Sequence, residues 1–357
     1  MAAAICLMLS SCAVSRNNYC HISGFPVERE AEFEKIGEIC GKRYNFVREF
    51  TAYGPYFVLV TPVGSNSPSL HIYDRSDGHL VLEALPWGDG KGEVKSNWTY
   101  NFDNRTGVLS CSDFRTGRTL TMQLDSLINS GLDAVHEKPY HQDQPPINGS
   151  FQTRFGMIVF DHGSDSEDGG KHSPILELIE ESGRITAKID SLAFLNDENR
   201  WKPQIASYTA ALSPNERKLA LEMRGGILDI YSVGRSRLKH ICTSGHIAEP
   251  DSLYSRELSE YCMEDICILG RIYATDRRIY GTYDGATNRM DVIDSMFSGG
   301  PDPSDLSRIA VYNWKGKPLE LISTGHEIST LYIDNKDRIL YAIYWENGKQ
   351  YFGQIRL

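Results

Sequence analysis

The 357-residue chain has no run of about 18 apolar residues, the length a membrane-crossing helix needs. Its apolar start, Ala2 to Leu9, is far shorter. Basic residues are outnumbered, 37 Lys and Arg against 47 Asp and Glu, giving a formal net charge of -10. That balance argues against nucleic acid as a partner, because gripping it requires a basic surface to neutralise phosphates. A local basic run, Arg271 with Arg277 and Arg278, reads as a solvated strand edge. There is no C-x₂-C pair among the eight cysteines, so His240, Cys242, His246, Cys262 and Cys267 form only a loose cluster and no metal site is assigned. No nucleophile sits in a G-x-S-x-G setting. The glycines of Trp87 to Val94 do not follow G-x-x-x-x-G-K-[ST] and read as a tight loop. The acids of Asp161 to His172 lack the order of an EF-hand and read as a solvated hairpin loop. No cofactor is expected.

What the chain does have is one hairpin written several times. Arg308 to Ile322 alternates Ile309 and Val311, turns at Gly316, and returns through Leu319 and Leu321. Ser69 to Leu82 turns at Gly78, Val108 to Leu120 at Gly117, Ile175 to Ile185 at Gly183, and Ile227 to Leu238 at Gly234. A second hairpin, with an acidic or Asn turn followed by Arg or Lys and an apolar return, recurs at Ala210 to Leu221, Thr275 to Tyr280 and Ile333 to Tyr341. The pairing predicts an inner and an outer hairpin, so four antiparallel strands per repeat. Such repeats bury their faces only by stacking, and closing the stack into a ring removes its ends. Five outer hairpins plus a three-stranded C-terminal unit predict an all-β, six-bladed β-propeller with blades of ~50 residues. A strand near Ile36 to Val47 is expected to complete the last blade and close the ring. Residues 120–150 and 245–265 read as loops. The expected organisation is 1–12 a partial signal, 13–30 a polar tether, and 31–357 the propeller.

Leu9-Ser10-Ser11-Cys12 resembles a bacterial lipobox, which implies lipid attachment at Cys12. The short stretch before it lacks Lys and Arg, so the full signal is expected to extend upstream of Met1. Acyl chains contribute ~0.8 kcal/mol per buried CH₂, enough together to hold a folded domain on a membrane. The run Ile309-Ala-Val-Tyr-Asn-Trp-Lys-Gly-Lys-Pro-Leu319, followed by Ile328 to Ile333 and Ile339 to Ile343, resembles the C-terminal half of the TolB-like six-bladed propeller lipoproteins. Leu70 to Asp74 and Gly88 to Glu93 resemble their first blade, while Asn313 stands where Asp is usual. The resemblance implies a ring anchored in the bacterial envelope, at the outer membrane, on its periplasmic or surface face. It implies no reaction.

The functional expectation is a non-catalytic binding or scaffolding propeller, a monomeric ring whose partner is an envelope protein or peptide. No catalytic residue is assigned. Two alternatives stand beside it. One is a metal-dependent, lactonase-like hydrolase using acids near strand ends, with Asp161, Asp276, Asp334 and Glu49 as candidates. The other is a glycan-binding surface of exposed Trp or Tyr.

Overall fold

Phe57, Val58, Leu59 and Val60 are all buried, although they alternate between the two sides of one strand. A sheet with such strands must be covered on both faces. Phe57 and Leu59 pack with Tyr341, Ile343 and Phe352 on one side, while Val58 and Val60 pack with Leu109, Cys111 and Met122 on the other. The sheet is one blade of six, and the computed structural model shows an all-β six-bladed propeller. It describes residues 19–40, 44, 47–62, 68–95, 99–104, 106–113, 115–139, 149–160, 175–180, 182–195, 209–223, 225–251, 269–284 and 306–357.

Each blade is a meander. Blade 1 is Glu49–Tyr53, Tyr56–Val60, Leu70–Asp74 and Leu80–Ala84. Blade 2 is Thr99–Asp103, Val108–Asp113, Arg118–Gln123 and His136–Pro139. Blade 3 is Gly149–Thr153, Gly156–Phe160, Leu176–Ile179 and Ile185–Ile189. Blade 4 is Thr209–Leu212, Lys218–Met223, Ile227–Gly234 and Arg237–Gly245. Blade 5 is Leu269–Ala274, Arg278–Tyr283, Arg308–Asn313 and Pro318–Ser323. Blade 6 takes Ile328–Ile333, Ile339–Glu346 and Lys349–Arg356 from the C-terminus and Glu34–Glu38 from the N-terminal region. That last strand closes the ring as expected, pairing antiparallel with Tyr351 to Gln354. Hydrophobic clusters lie between blades 1 and 2, 3 and 4, 4 and 5, 5 and 6, and 6 and 1.

The described part of the expected tether is built into the ring. Tyr19–His21 runs parallel to Thr243 to Gly245 on the outer edge of blade 4, and Glu28–Glu30 runs parallel to Leu321 to Ser323 on blade 5. Ile22 N donates to Gly245 O at 2.7 Å, and Arg29 pairs with Glu320. The polar sequence fits because an outer strand has a solvated side. Cys12 lies outside the described residues.

Four of the five glycine hairpins join the third and fourth strands of their blades. The fifth, Val108 to Leu120, joins the second and third strands of blade 2. Its fourth strand follows a short helix, Leu124–Ser130, and a 3-10 turn, Gly131–Ala134, within the stretch read from sequence as a loop. Three of the glycine turns share a local cause. Asp74 accepts from Ser76 N, Asp113 from Arg115 N and Thr116 N, and Asn313 from Lys315 N and Lys317 N. Gly78, Gly117 and Gly316 then take the positive φ of 66 to 76° that the turns require.

Candidate binding site at the upper mouth of the ring

The first strand of each blade lines the axis. The end at which these strands begin is here termed the upper mouth, and the end at which they turn into their second strands the lower mouth. At the lower mouth, the recurring acidic turns act between blades. Asn104 of blade 2 accepts from Thr51 Oγ1 of blade 1 at 2.9 Å. Glu216 of blade 4 accepts from Arg154 N of blade 3 at 2.7 Å and from its Nε at 3.0 Å. Asp276 of blade 5 accepts from Asn215 N of blade 4 at 2.8 Å. Asp337 of blade 6 accepts from Thr275 Oγ1 at 2.6 Å and Tyr280 OH at 3.0 Å in blade 5. Each turn thus reaches back to the preceding blade, and the acidic grammar of the inner hairpins is a set of latches.

This arrangement settles where the candidate metal ligands lie. Asp276 is engaged in a latch, and Asp334 caps its own turn by accepting from Arg338 N and Ile339 N. Both are at the lower mouth, whereas Glu49 begins blade 1 at the upper mouth. Asp161 lies outside the described residues. Among the described residues, one group of three potential ligands comes together, Asp74, Asp77 and His79. They sit in a surface turn whose carboxylates already hold Ser76 and His79.

The His and Cys cluster is dispersed as well. His240 Nε2 lies 2.9 Å from both Asp229 Oδ1 and Thr243 Oγ1. A nucleophile relay needs the two imidazole nitrogens to face different partners, so this is a buried polar knot, completed by Tyr231 OH donating to Asp229. Burial, with Asp229 and Cys20 nearby, pushes the Cys242 thiol up to about 12. His246 turns toward Tyr312 OH at 2.8 Å and packs against Phe25, and its imidazole is pushed down to about 4, chiefly by burial. Cys262 and Cys267 lie outside the described residues.

The upper mouth holds a different constellation. Arg271, on the first strand of blade 5, reaches past blade 6 to blade 1. Its Nη1 donates to Val47 O at 2.9 Å and its Nη2 to Glu49 Oε2 at 2.8 Å. The guanidinium lies 5.6 Å from the centre of the Tyr273 ring. Tyr273 is itself fixed, with its hydroxyl 2.7 Å from Thr330 Oγ1 and accepting from Leu331 N at 3.3 Å. Burial lowers the proton affinity of the neighbouring Arg48, with Arg271 as a smaller cause. Burial raises the Glu49 carboxyl above its ordinary range, and Arg271 opposes the shift. The group is surrounded by protein yet open: 39% of the Glu49 side chain and 31% of Arg271 remain accessible. A paired guanidinium and carboxylate, partly accessible at this opening, form a place where a ligand can meet charge. Of these residues, the sequence singles out Glu49 alone, and as a candidate metal ligand. Arg271 was read as part of a solvated run, and Arg48 carried no signal of its own.

No helix among the described residues is long and apolar enough to cross a membrane. No family model matches the chain, and no curated protein sequence matches it. Solved structures do. The Swd1 (Cps50) β-propeller domain of Myceliophteria thermophila is 9% identical, over 90% of this chain and 99% of that one, with a TM-score of 0.49. A protein of Bacteroides fragilis NCTC 9343 described as exported is 12% identical, over 94% of this chain and 97% of that one, with a TM-score of 0.56. At that identity the likeness shows a shared propeller fold along nearly the whole length of both chains.

Proposed function

We propose that the chain is a non-catalytic binding propeller of the bacterial cell envelope, akin to the TolB-like lipoproteins, lipid-anchored through Cys12 and engaging a protein or peptide partner at its upper mouth. The observation that carries the reading is the Arg271–Glu49 pair, charged, set among protein and still open to solvent. The lower mouth supports it by contrast, since its acids hold neighbouring blades together. The lipobox at Leu9 to Cys12 and the likeness to an exported propeller support an envelope address.

The test is mild cross-linking in cells, followed by purification of the tagged protein, with its full signal, from membranes. One defined envelope partner is expected, lost in R271Q and kept in a lower-mouth variant such as N104A. Recovery of the same proteins from both variants would remove the upper mouth as the binding site. For the anchor, C12A is expected to move the protein from the membrane to the soluble fraction. An unchanged distribution would refute lipidation at Cys12.

A further inference from the structure

We infer that the lower end of blade 4 is a lipid-docking surface, at which Arg217, Arg235, Arg237 and Lys239 meet the anionic headgroups of the membrane that holds the Cys12 anchor. The inference rests on the anchor reading above and adds the face that the ring turns toward the lipid.

Two independent observations lead to it. The first is charge. Arg237 and Lys239 alternate with Leu238 and His240 along the outer strand of blade 4, so both cations stand on its solvent side while Leu238 packs into the core between blades 3 and 4. Arg235 is in the turn before that strand, and Arg217 is in the turn between the blade's first two strands. Val233 N donates to Arg217 O at 2.8 Å, which sets the two turns side by side at the lower mouth. All four side chains are exposed, and none has an ion-pair partner among the described residues. The acids near them in the chain are engaged elsewhere. Glu216 holds Arg154, and Asp229 is buried and accepts from Tyr231 and Thr243. In a chain of net charge -10, this end carries a local field opposite in sign to the whole. Ile241, 41% accessible, continues the exposed row. An apolar side chain beside Lys and Arg suits the boundary between headgroups and acyl chains.

The second observation is where the chain joins the sheet. Tyr19–His21 runs parallel to the end of the same outer strand, with Tyr19 opposite Thr243. A parallel strand enters its pairing from the end at which its partner begins, here the Arg237 side. Cys12 is seven positions before Tyr19. An extended chain spans at most ~3.6 Å per residue, so an anchor at Cys12 keeps Tyr19 within roughly 25 Å of the bilayer surface. The strand from Arg237 to Thr243 covers roughly 20 Å of that distance. A tether this short holds the basic end of blade 4 against the headgroups, where each Lys or Arg adds electrostatic attraction to the hold of the acyl chains. Docking at the lower end leaves the upper mouth facing away from the lipid and open to a partner.

The experiment is vesicle co-sedimentation of the full chain carrying C12A, so that no acyl chain at that position contributes, at low ionic strength. The probes are vesicles of phosphatidylcholine alone and of phosphatidylcholine and phosphatidylglycerol in equal parts. Binding to the mixed vesicles and not to the neutral ones is expected, weakening as salt is added. R237Q/K239Q is expected to weaken it about 25-fold, or roughly fivefold for each cation lost. Both side chains are exposed and unpaired, so an unchanged Tm is expected beside that loss. K336Q/R356Q, which removes two exposed cations from blade 6, is expected to leave binding as it was. Hydrogen exchange is expected to slow at residues 235–241 on the mixed vesicles and not at Leu80–Ala84 in blade 1. Binding to neither vesicle, equal binding to both, or equal weakening by the blade 6 variant overturns the inference. If neither vesicle binds and R237Q/K239Q loses the cross-linked envelope partner, the patch is a protein contact and the inference falls. The anchor has its own readout in the C12A fractionation. An unchanged distribution together with selective vesicle binding refutes the lipid at Cys12 and leaves the docking surface standing.

Discussion

Gln350 clamps the backbone of Tyr44 from both sides. Its Oε1 accepts from Tyr44 N at 2.6 Å, and its Nε2 donates to Tyr44 O at 2.9 Å and to Ser329 Oγ at 3.1 Å. Gln350 is on the third strand of blade 6, and Tyr44 lies on the path from the closing strand to blade 1, so one amide secures the ring's junction. Both residues are buried. Q350L fills the space but leaves the Tyr44 N–H and C=O unpaired. Each buried orphan costs about 1–3 kcal/mol, so Q350L is expected to lower unfolding stability by roughly 2–5 kcal/mol in urea denaturation. Equal stability of Q350L and wild type would mean the clamp contributes nothing.

The latch from blade 6 to blade 5 makes a second prediction. Asp337 accepts from Thr275 and Tyr280 while holding a φ of 53°, a conformation Asn tolerates and Ala does not. D337N keeps an acceptor oxygen and the backbone preference, and is expected to lose about 1 kcal/mol or less. D337A removes an acceptor shared by two hydroxyls and adds strain, and is expected to lose roughly 2–4 kcal/mol. Thermal denaturation of the three proteins checks the order, and equal losses in both variants would contradict a hydrogen-bonding role.

The elements read correctly from sequence are those whose signal is local. The Gly316, Gly78 and Gly183 turns announce hairpins because an Asx residue or a glycine must sit at a fixed offset between apolar alternations. The ring closure was legible because the C-terminal unit is one strand short. Glu28–Glu30 was not, since three polar residues pairing with an outer edge have no apolar period to show. The fourth strand of blade 2, His136–Pro139, is short, polar and placed after a helix, so the hairpin before it was assigned to the wrong strand pair. At the upper mouth the difficulty is distance along the chain. Arg271 meets Glu49 across 222 positions, and no local pattern in either stretch encodes the meeting.

Gly37 marks where the closing strand passes blade 1. A Cβ there would lie 1.9 Å from Asp77 O and 3.1 Å from the Gly78 Cα, both backbone atoms in the first blade's glycine turn. No side-chain rotation relieves such a contact. G37A is therefore expected to push the last strand off its register, with a loss of several kcal/mol typical of overpacking against backbone. The readout is faster hydrogen exchange at Phe352 and Gly353 than at Leu219 to Leu221 in blade 4, which shares no contact with the site. A uniform change across both blades would instead indicate global destabilisation without local opening.

His246 ties stability to pH. Phe25, Tyr283 and Tyr312 surround its ring where the N-terminal segment crosses from blade 4 to blade 5, and His21 contacts the His246 carbonyl through Nε2. Burial, with His21 as a smaller cause, brings the imidazole to about 4 from an ordinary 6.5. The folded state therefore favours the neutral ring. Above pH 6.5 both folded and unfolded chains carry it neutral, and the contribution to stability is fully present. Between 6.5 and 4 the unfolded chain binds the proton and the folded one does not, so stability drops as pH falls. Other groups titrate in the same range, which is why the difference between wild type and H246Q matters. Gln preserves a polar partner for Tyr312 and cannot be protonated. Relative to H246Q, wild type is expected to lose stability progressively from pH 7 to pH 4.5 in urea unfolding. Parallel pH profiles for the two proteins would show that His246 is solvated and that the segment from Ile22 to Phe25 does not seal it.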